Sequence, residues 1–117
     1  MKKAVVTGGA GFIGSHMTEF LLEQGLEVLV LDDLSSGTLD NLDMNNKKLS
    51  FKQIALHEAT VNVLTNIIDG YDCVFHMAAF ARIQPSIEDP LKYNTINVDG
   101  TLKLLIACRD AKIKKIV

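Results

Sequence analysis

The chain has 117 residues, 48% of them hydrophobic and 22% charged, which is enough apolar material to bury a core in a single domain. Its net charge of −2 at pH 7 provides no basic surface, so the composition argues against nucleic acid and anionic membranes as partners. No apolar run has the length of a membrane span or of a signal-peptide core, and the expected location is therefore the cytoplasm.

The chain opens with a predicted strand, a glycine-rich turn, a helix and a second strand. Residues 4–7 and 27–31 are apolar runs with β-branched side chains, typical of buried parallel strands. Between them, apolar residues recur with helical spacing at positions 13, 17, 20 and 21, and Gly25 is expected to end the helix. This order predicts the first βαβ unit of a parallel sheet.

The turn holds Gly8, Gly11 and Gly14, to which we assign three tasks. They allow a tight turn, a close approach of the backbone to a pyrophosphate, and tight packing of the helix on the strand. The pyrophosphate is expected on free N–H groups where the helix starts near Gly11. Asp32 follows Gly14 by 18 residues, close to the spacing at which a carboxylate meets the adenosine ribose. Together these features predict a dinucleotide-binding fold rather than an ordinary glycine turn.

The remaining elements continue the alternation of strands and helices. After a polar loop we expect further strands, an amphipathic helix that ends at Gly70, and a loop with Pro85 and Pro90. The strands are expected at 49–56, 73–77 and 113–117, and a long helix at 91–111. The fold class is therefore α/β: a Rossmann-type doubly wound parallel sheet of order 3-2-1-4-5, truncated after about five strands.

Isolated cysteines and histidines are assigned structural roles. Cys73 and Cys108 lack the spacing of a ligand set, so we interpret them as buried thiols and expect no metal site. His76 lies on an apolar strand and is expected to be a hydrogen-bonded core residue. His16 is interpreted as a packing or capping residue at the start of the first helix.

Five motifs in order resemble those of the extended short-chain dehydrogenase/reductases. Within that family the chain is most similar to the N-terminal part of the NAD-dependent sugar-nucleotide epimerases and dehydratases, the UDP-glucose 4-epimerases above all. The resemblance implies an NAD-binding portion of such an enzyme, in which a hexose transiently transfers a hydride to NAD. The motifs are Thr7-Gly8-Gly9-Ala10-Gly11-Phe12-Ile13-Gly14-Ser15-His16, Leu31-Asp32-Asp33-Leu34-Ser35-Ser36-Gly37, His76-Met77-Ala78-Ala79-Phe80-Ala81, Ser86 with Pro90, and Asn97-Val98-Asp99-Gly100-Thr101.

Asp32 is the residue expected to select the cofactor. The resemblance implies that its carboxylate accepts hydrogen bonds from both ribose hydroxyls of the adenosine half, and its charge would repel the extra phosphate of NADP. No Arg or Lys occurs from residue 33 to residue 46 to neutralise that phosphate. NAD is therefore the expected cofactor. The alternative is that Asp32 and Asp33 form a solvated turn after the strand.

The resemblance implies further contacts on both halves of the cofactor. Ser36 and Gly37 match positions on the adenosine side, although the same residues suit a flexible turn. Small residues after the fourth strand would admit the nicotinamide ribose, or pack tightly within the sheet. Asn97 would bridge backbone groups beside the active site. The full predicted set is Gly8, Gly11, Phe12, Ile13, Gly14, Asp32, Ser36, Gly37, Leu56, Ala78, Ala79, Ala81 and Asn97.

Some expected contacts depart from the family pattern or have two interpretations. Alignment through the third strand puts Ala55-Leu56 where the family has an acidic residue and an aliphatic one. Leu56 still provides a wall for adenine, but the carboxylate is missing. Ser86 is interpreted as a contact for the pyrophosphate or a cap of its loop, and Arg82 as facing the same mouth or solvent.

The family's catalytic Tyr-x-x-x-Lys pair is not found in the sequence. The residues four positions after Tyr71 and Tyr93 are Phe75 and Asn97. We therefore assign no catalytic residue. We expect residues 1–117 to bind NAD, to contain no substrate domain and to be inactive alone. A nucleotide sugar is an expected partner only where a catalytic half is present. The alternatives are a noncatalytic NAD-binding module or partner subunit, and a fragment. An exposed edge at 113–117 predicts a homo-oligomer or aggregate.

Overall fold

The chain folds around a five-stranded parallel sheet of order β3-β2-β1-β4-β5, which confirms the predicted fold class and strand order. This computed structural model describes residues 1–81 and 83–117. The strands are β1 (Lys3–Thr7), β2 (Glu27–Asp32), β3 (Leu49–Gln53), β4 (Cys73–His76) and β5 (Lys115–Ile116). The helices are α1 (Phe12–Glu23), α2 (Val61–Ile68), α3 (Ile83–Glu88), α4 (Pro90–Asn94) and α5 (Gly100–Asp110), with a 3-10 turn at Leu39–Asn41.

Helices cover both faces of the sheet. Side chains alternate between the two faces of a strand, and here apolar side chains point to each face. On one face, Val5 packs in a core with α2 and α5, including the fully buried Leu64 and Leu104. On the other face, Val6 packs in a second core with Leu21 of α1. The strands are therefore apolar on both faces, as the continuous runs in the sequence predicted.

Local hydrogen bonding accounts for where the elements differ from the sequence-based expectation. The third strand ends at Gln53 rather than residue 56, because the N–H groups of Glu58 and Ala59 turn back to the carbonyl of Ala55. The expected loop around Pro85 contains helix α3, whose first turn accommodates a proline since the N–H group there needs no partner. The last strand spans only Lys115–Ile116.

The long helix begins at Pro90 and runs without a break to residue 110, but it is not uniform. Residues Thr95–Asp99 form a π-helical segment between α4 and α5. Asp89 caps its start by accepting a hydrogen bond from the N–H of Lys92. A widened π turn is rare and changes the direction of the side chains on it, which bears on Asn97 below.

Both cysteines are buried and unpaired, as the sequence predicted. Burial raises the pKa of the Cys108 thiol to about 11. It also raises the pKa of Cys73, with a smaller contribution from neighbouring Asp72. Within the part of the chain that the structure describes, no group of three or more potential ligands is arranged to hold a metal ion. Nor does any described helix have the length and apolarity to cross a membrane.

Replacing Lys112 with glycine is expected to raise the free energy of unfolding by about 0.5 to 1 kcal/mol. Lys112 has φ +57° at the end of α5. Its N–H donates to the Arg109 carbonyl, and the N–H of Ile113 donates to the Cys108 carbonyl. This is the Schellman arrangement in which glycine is preferred, and Gly25 fills the same position after α1.

Urea unfolding of both variants measures the effect, with Gly25→Ala as the matched control. A methyl group at Gly25 would meet no atom within 4 Å, so its cost of about 1 kcal/mol would come from the backbone conformation alone. A Lys112→Gly protein no more stable than the parent would contradict the prediction.

Candidate functional site

The glycine-rich turn is held against the carboxyl end of β4. Gly8 has φ +67°, and its N–H donates to the Leu31 carbonyl at 2.8 Å. A Cβ on Gly8 would lie 2.7 Å from the backbone nitrogen of Ala78, so no larger residue fits. A Cβ on Gly14 would lie 2.1 Å from the Gly8 carbonyl oxygen. The close packing expected of Gly14 is therefore against the turn that leaves β1, not against the strand itself.

The start of α1 offers unpaired backbone donors to an anion. Gly11 is the N-cap, has no side chain to cap the helix, and has open space where a Cβ would stand, apart from the Gly8 oxygen at 3.4 Å. The Ser15 N–H is the first to bond inside the helix, to the Gly11 carbonyl. The N–H groups of residues 12–14 therefore have no carbonyl partner in the helix, and they point where the helix dipole favours negative charge.

Asp32 ends β2 as a buried carboxylate with fixed orientation. It is 8% exposed; Oδ2 accepts the N–H of Ala10 at 3.0 Å, and Oδ1 accepts that of Leu34 at 2.7 Å. A carboxylate has about four acceptor positions, so both oxygens still have capacity for ligand hydroxyls. The solvated-turn alternative does not describe Asp32, whereas the exposed Ser35 side chain and backbone bond to Asp33 in such a turn.

The segment after β2 docks on the glycine-rich turn. The Ala10 carbonyl accepts the N–H of Thr38 at 3.1 Å and the Asn41 side-chain amide at 2.9 Å. A Cβ on Gly37 would lie 2.6 Å from that same carbonyl oxygen. Gly37 is thus required for this contact and is not among the residues that line the cleft described below.

The segment after β4 is fixed by Asn97 from the π-helical segment. The Asn97 side chain accepts the N–H of Phe80 and donates to the Phe80 carbonyl, both at 2.8 Å. The backbone bridge expected of Asn97 is present. Asn97 itself does not line the cleft, although Ile96 next to it does. The Phe80 ring lies edge-on to Tyr93, with centroids 5.4 Å apart.

His76 is a hydrogen-bonded, half-buried residue, as predicted. Nδ1 lies 2.7 Å from the Thr7 hydroxyl and Nε2 lies 2.8 Å from the Thr101 hydroxyl. Burial lowers the pKa of the imidazole below its usual range. His16, by contrast, is exposed: its Nδ1 donates to the Phe12 carbonyl at 2.7 Å, and its ring packs edge-on to that of Phe12.

The His76 shift predicts that the chain loses stability as pH falls below about 6.5. A lowered pKa in the folded state means that the unfolded state binds the proton more tightly, so this contribution is complete above the unfolded pKa of about 6.5 and declines toward the folded pKa. Urea unfolding at pH 7.5, 6.5 and 5.5 measures it. Asp72, whose pKa is lowered by the N–H groups of Lys2 and Lys3, loses its contribution only below about pH 4.

Two variants provide the comparison for this pH dependence. His76→Asn should flatten the decline between pH 7.5 and 5.5, whereas His16→Gln, at an exposed position, should retain it. Equal slopes in both variants would contradict the assignment to His76.

These elements surround one cleft at the carboxyl ends of β1, β2, β3 and β4, with a volume of about 360 Å³, which is within the range of small-molecule sites. Eleven of the thirteen predicted residues line it, and Gly37 and Asn97 stand behind its walls. The sequence analysis did not assign the other nine lining residues to the site. Most of them follow β2, β3 or β4, and that position is the signal that could have identified them, whereas Leu31 lies within β2 and Ile96 in the π-helical segment. The lining residues are Gly8, Gly11, Phe12, Ile13, Gly14, Leu31, Asp32, Asp33, Ser35, Ser36, Ile54, Ala55, Leu56, His57, Met77, Ala78, Ala79, Phe80, Ala81 and Ile96.

Two apolar side chains at the mouth are unusually exposed. Phe12 and Ile13 begin α1 and are 80% and 69% exposed, although both line the cleft. Leu56 also lines the cleft but is buried, so its side chain forms a fixed wall. Arg82, expected near this mouth, lies outside the described residues, and Ser86 on α3 has a bonding partner of its own.

Comparison with known proteins shows that this chain is similar to nucleotide-sugar enzymes. A family model described as GDP-mannose 4,6 dehydratase matches residues 5–117. The UDP-glucose 4-epimerase of Mycolicibacterium smegmatis is 39% identical over 119 aligned residues, covering 98% of this chain and 37% of that protein.

Solved structures share the fold closely. The UDP-N-acetylglucosamine 4-epimerase from Methanobrevibacter ruminantium M1, in complex with UDP-N-acetylmuramic acid, superposes with a TM-score of 0.90 at 43% identity, covering 98% of this chain and 36% of that one. The UDP-glucose 4-epimerase of Thermus thermophilus, in complex with NAD, does so with a TM-score of 0.86 at 39% identity, covering 97% and 36%. The chain thus spans just over a third of the length of these relatives.

Proposed function

We propose that residues 1–117 form the NAD-binding segment of a sugar-nucleotide epimerase or dehydratase, because the chain belongs to the family that the GDP-mannose 4,6 dehydratase model describes. Its relatives are NAD-dependent sugar-nucleotide epimerases and dehydratases. The observation that carries the proposal is that a helix N-terminus and a buried carboxylate line the same cleft. The free N–H groups at the start of α1 suit a pyrophosphate, and Asp32 suits ribose hydroxyls.

The proposed orientation places the two halves of NAD at opposite ends of the cleft. The adenosine half lies toward Asp32, Ser36 and Leu56, and the nicotinamide half lies along residues 77–81. Bound NAD would supply a reversible acceptor for a hydride from a hexose carbon. The residues of this chain bind and orient the cofactor: Asp32 fixes one ribose, and the alanines at 78, 79 and 81 leave room for the other.

Calorimetric titration of the chain with NAD tests this proposal. We expect saturable binding with one site per chain and weaker binding of NADP, because the Asp32 charge repels a 2′-phosphate and the described cleft lining contains no Lys or Arg. The absence of measurable NAD binding would refute the proposal.

A noncatalytic NAD-binding module is the second candidate. Neither tyrosine is followed by lysine at the fourth position; Tyr71 packs against the core, and Tyr93 packs on Phe80. We expect the chain alone, incubated with NAD and UDP-glucose or UDP-galactose, to form no epimer above a protein-free blank, since general acid–base catalysis contributes roughly 10²- to 10⁴-fold. Clear turnover would exclude the noncatalytic function.

Self-association and a cytoplasmic location complete the proposal. In the described sheet β5 pairs only with β4, and Leu91, Val98, Leu102 and Leu105 are exposed along the long helix. An open strand edge and exposed apolar side chains favour contact with a second copy. Light scattering over a concentration series should show a dimer or larger species, and a monodisperse monomer at high concentration would refute this. The separate buried thiols suit a reducing compartment.

A further inference from the structure

We propose that His76 is a positioning residue for the nicotinamide half of the bound cofactor, because a relay of hydrogen bonds through its ring fixes the backbone of residues 77–81. His76 does not line the cleft, and it acts through the segment that follows it. The inference rests on the proposed function, since it concerns where NAD lies in this cleft.

The first half of the relay joins the end of β1 to the end of β4. The Thr7 hydroxyl oxygen accepts the N–H of Ala78 at 3.2 Å and shares the N–H of Met77, which lies 3.1 Å from this oxygen and 3.1 Å from the Thr7 carbonyl oxygen. With both acceptor positions filled, the hydroxyl hydrogen of Thr7 is directed to Nδ1 of His76, 2.7 Å away. Nδ1 is therefore the unprotonated nitrogen of the ring.

The second half joins His76 to the long helix. The Thr101 hydroxyl donates to the Asn97 carbonyl at 2.6 Å, because a carbonyl only accepts. Its oxygen is then available to accept the Nε2 hydrogen of His76 at 2.8 Å. A single neutral tautomer, protonated at Nε2, satisfies every bond of the relay.

The relay ends on the wall of the cleft. Asn97, whose carbonyl receives the Thr101 hydroxyl, uses its side chain to hold both polar groups of the Phe80 backbone at 2.8 Å. The backbone from Met77 to Phe80 is thus fixed from β1 at one end and from the π-helical segment at the other. Gly8 lies so close that a Cβ on it would be 2.8 Å from the Ala78 Cα, so the backbone of residues 77–80 has room to shift only away from the glycine-rich turn.

This geometry separates the two ends of the cleft. The relay touches the 77–80 wall, whereas Asp32 and its partners Ala10 and Leu34 lie on β2 and the turns beside it. Weakening the relay should therefore affect the nicotinamide half of NAD and spare ADP, which contains only the adenosine and pyrophosphate portions. A purely structural role for His76 would weaken the binding of both ligands alike.

The experiment compares the dissociation constants of NAD and ADP by calorimetry in Thr101→Val, Thr101→Ser and His76→Phe. Thr101→Val keeps the shape but removes the hydroxyl, and Thr101→Ser keeps the hydroxyl. We expect the ratio of the NAD constant to the ADP constant to rise about tenfold in Thr101→Val and His76→Phe and to stay within about twofold of the parent in Thr101→Ser. An unchanged ratio in Thr101→Val would overturn the inference.

A measurement on the unmodified chain covers the case in which these variants fail to fold. NAD, but not ADP, should shift the ring ¹⁵N resonances of His76, and equal shifts with both ligands would overturn the inference. If both ligands bind the parent but Thr101→Val leaves the ratio of the NAD constant to the ADP constant unchanged, the inference fails and the proposed function stands. If neither ligand binds the parent, both are overturned.

Discussion

Replacing Asp32 with alanine is expected to weaken NAD binding about 10- to 150-fold. The charge-assisted contacts of the Asp32 carboxylate with the ribose are expected to be worth about 1.5 to 3 kcal/mol together, which corresponds to that range. The carboxylate is 8% exposed and already oriented by the N–H groups of Ala10 and Leu34, so no ordering is needed when a ligand arrives. NADP should bind the parent weakly and lose less than NAD on mutation, because removing Asp32 also removes a repulsion.

Calorimetric titration of both cofactors into three variants tests the Asp32 assignment. Asp32→Asn keeps the shape and one acceptor oxygen, so it should retain the local turn but lose the preference for NAD over NADP. Asp33→Ala, at the neighbouring residue that also lines the cleft, should change NAD affinity only slightly, since its carboxylate holds Ser35. If NADP binds the parent as tightly as NAD, the role assigned to Asp32 is wrong.

Replacing Gly14 with alanine is expected to lower the free energy of unfolding by roughly 2 to 3 kcal/mol, because the new methyl group overpacks a rigid contact. Its Cβ would stand 2.1 Å from the Gly8 carbonyl oxygen and 2.7 Å from the Gly8 carbonyl carbon. Both are backbone atoms, so the start of α1 must move away from the turn. NAD binding should fall with stability, since the same movement displaces the free N–H groups of the helix.

Gly11→Ala is the matched control, because its methyl group would meet only the Gly8 oxygen at 3.4 Å. We expect a loss of only about 0.5 to 1 kcal/mol, since alanine is a poorer N-cap than glycine. Its NAD affinity should nevertheless drop at least about tenfold, as the methyl group enters the cleft where the pyrophosphate is proposed to lie. Urea unfolding and calorimetry separate the two effects. A Gly14→Ala protein as stable as Gly11→Ala would contradict the packing argument.

The sequence by itself determined the fold and most of the cleft, because both depend on short-range patterns. Apolar runs of the right length specify buried strands, and glycines specify turns where an element ends, as Gly8 after β1, Gly25 after α1 and Gly70 after α2 do with positive φ. Once the strand order 3-2-1-4-5 is given, the carboxyl ends of neighbouring strands meet. Asp32 and Ala78 therefore had to approach the glycine turn.

Only the tertiary structure decided what each residue does there, because those roles depend on contacts between residues far apart in the chain. Gly37 allows a close contact with the Ala10 carbonyl and does not line the cleft, and Gly14 packs on the turn and not on the strand. The predicted strand through residue 56 stops three residues earlier, since turn hydrogen bonds satisfy the backbone locally. The relay from Thr7 through His76 to Thr101 joins residues 69 and 25 positions apart, a separation that no periodicity in the sequence encodes.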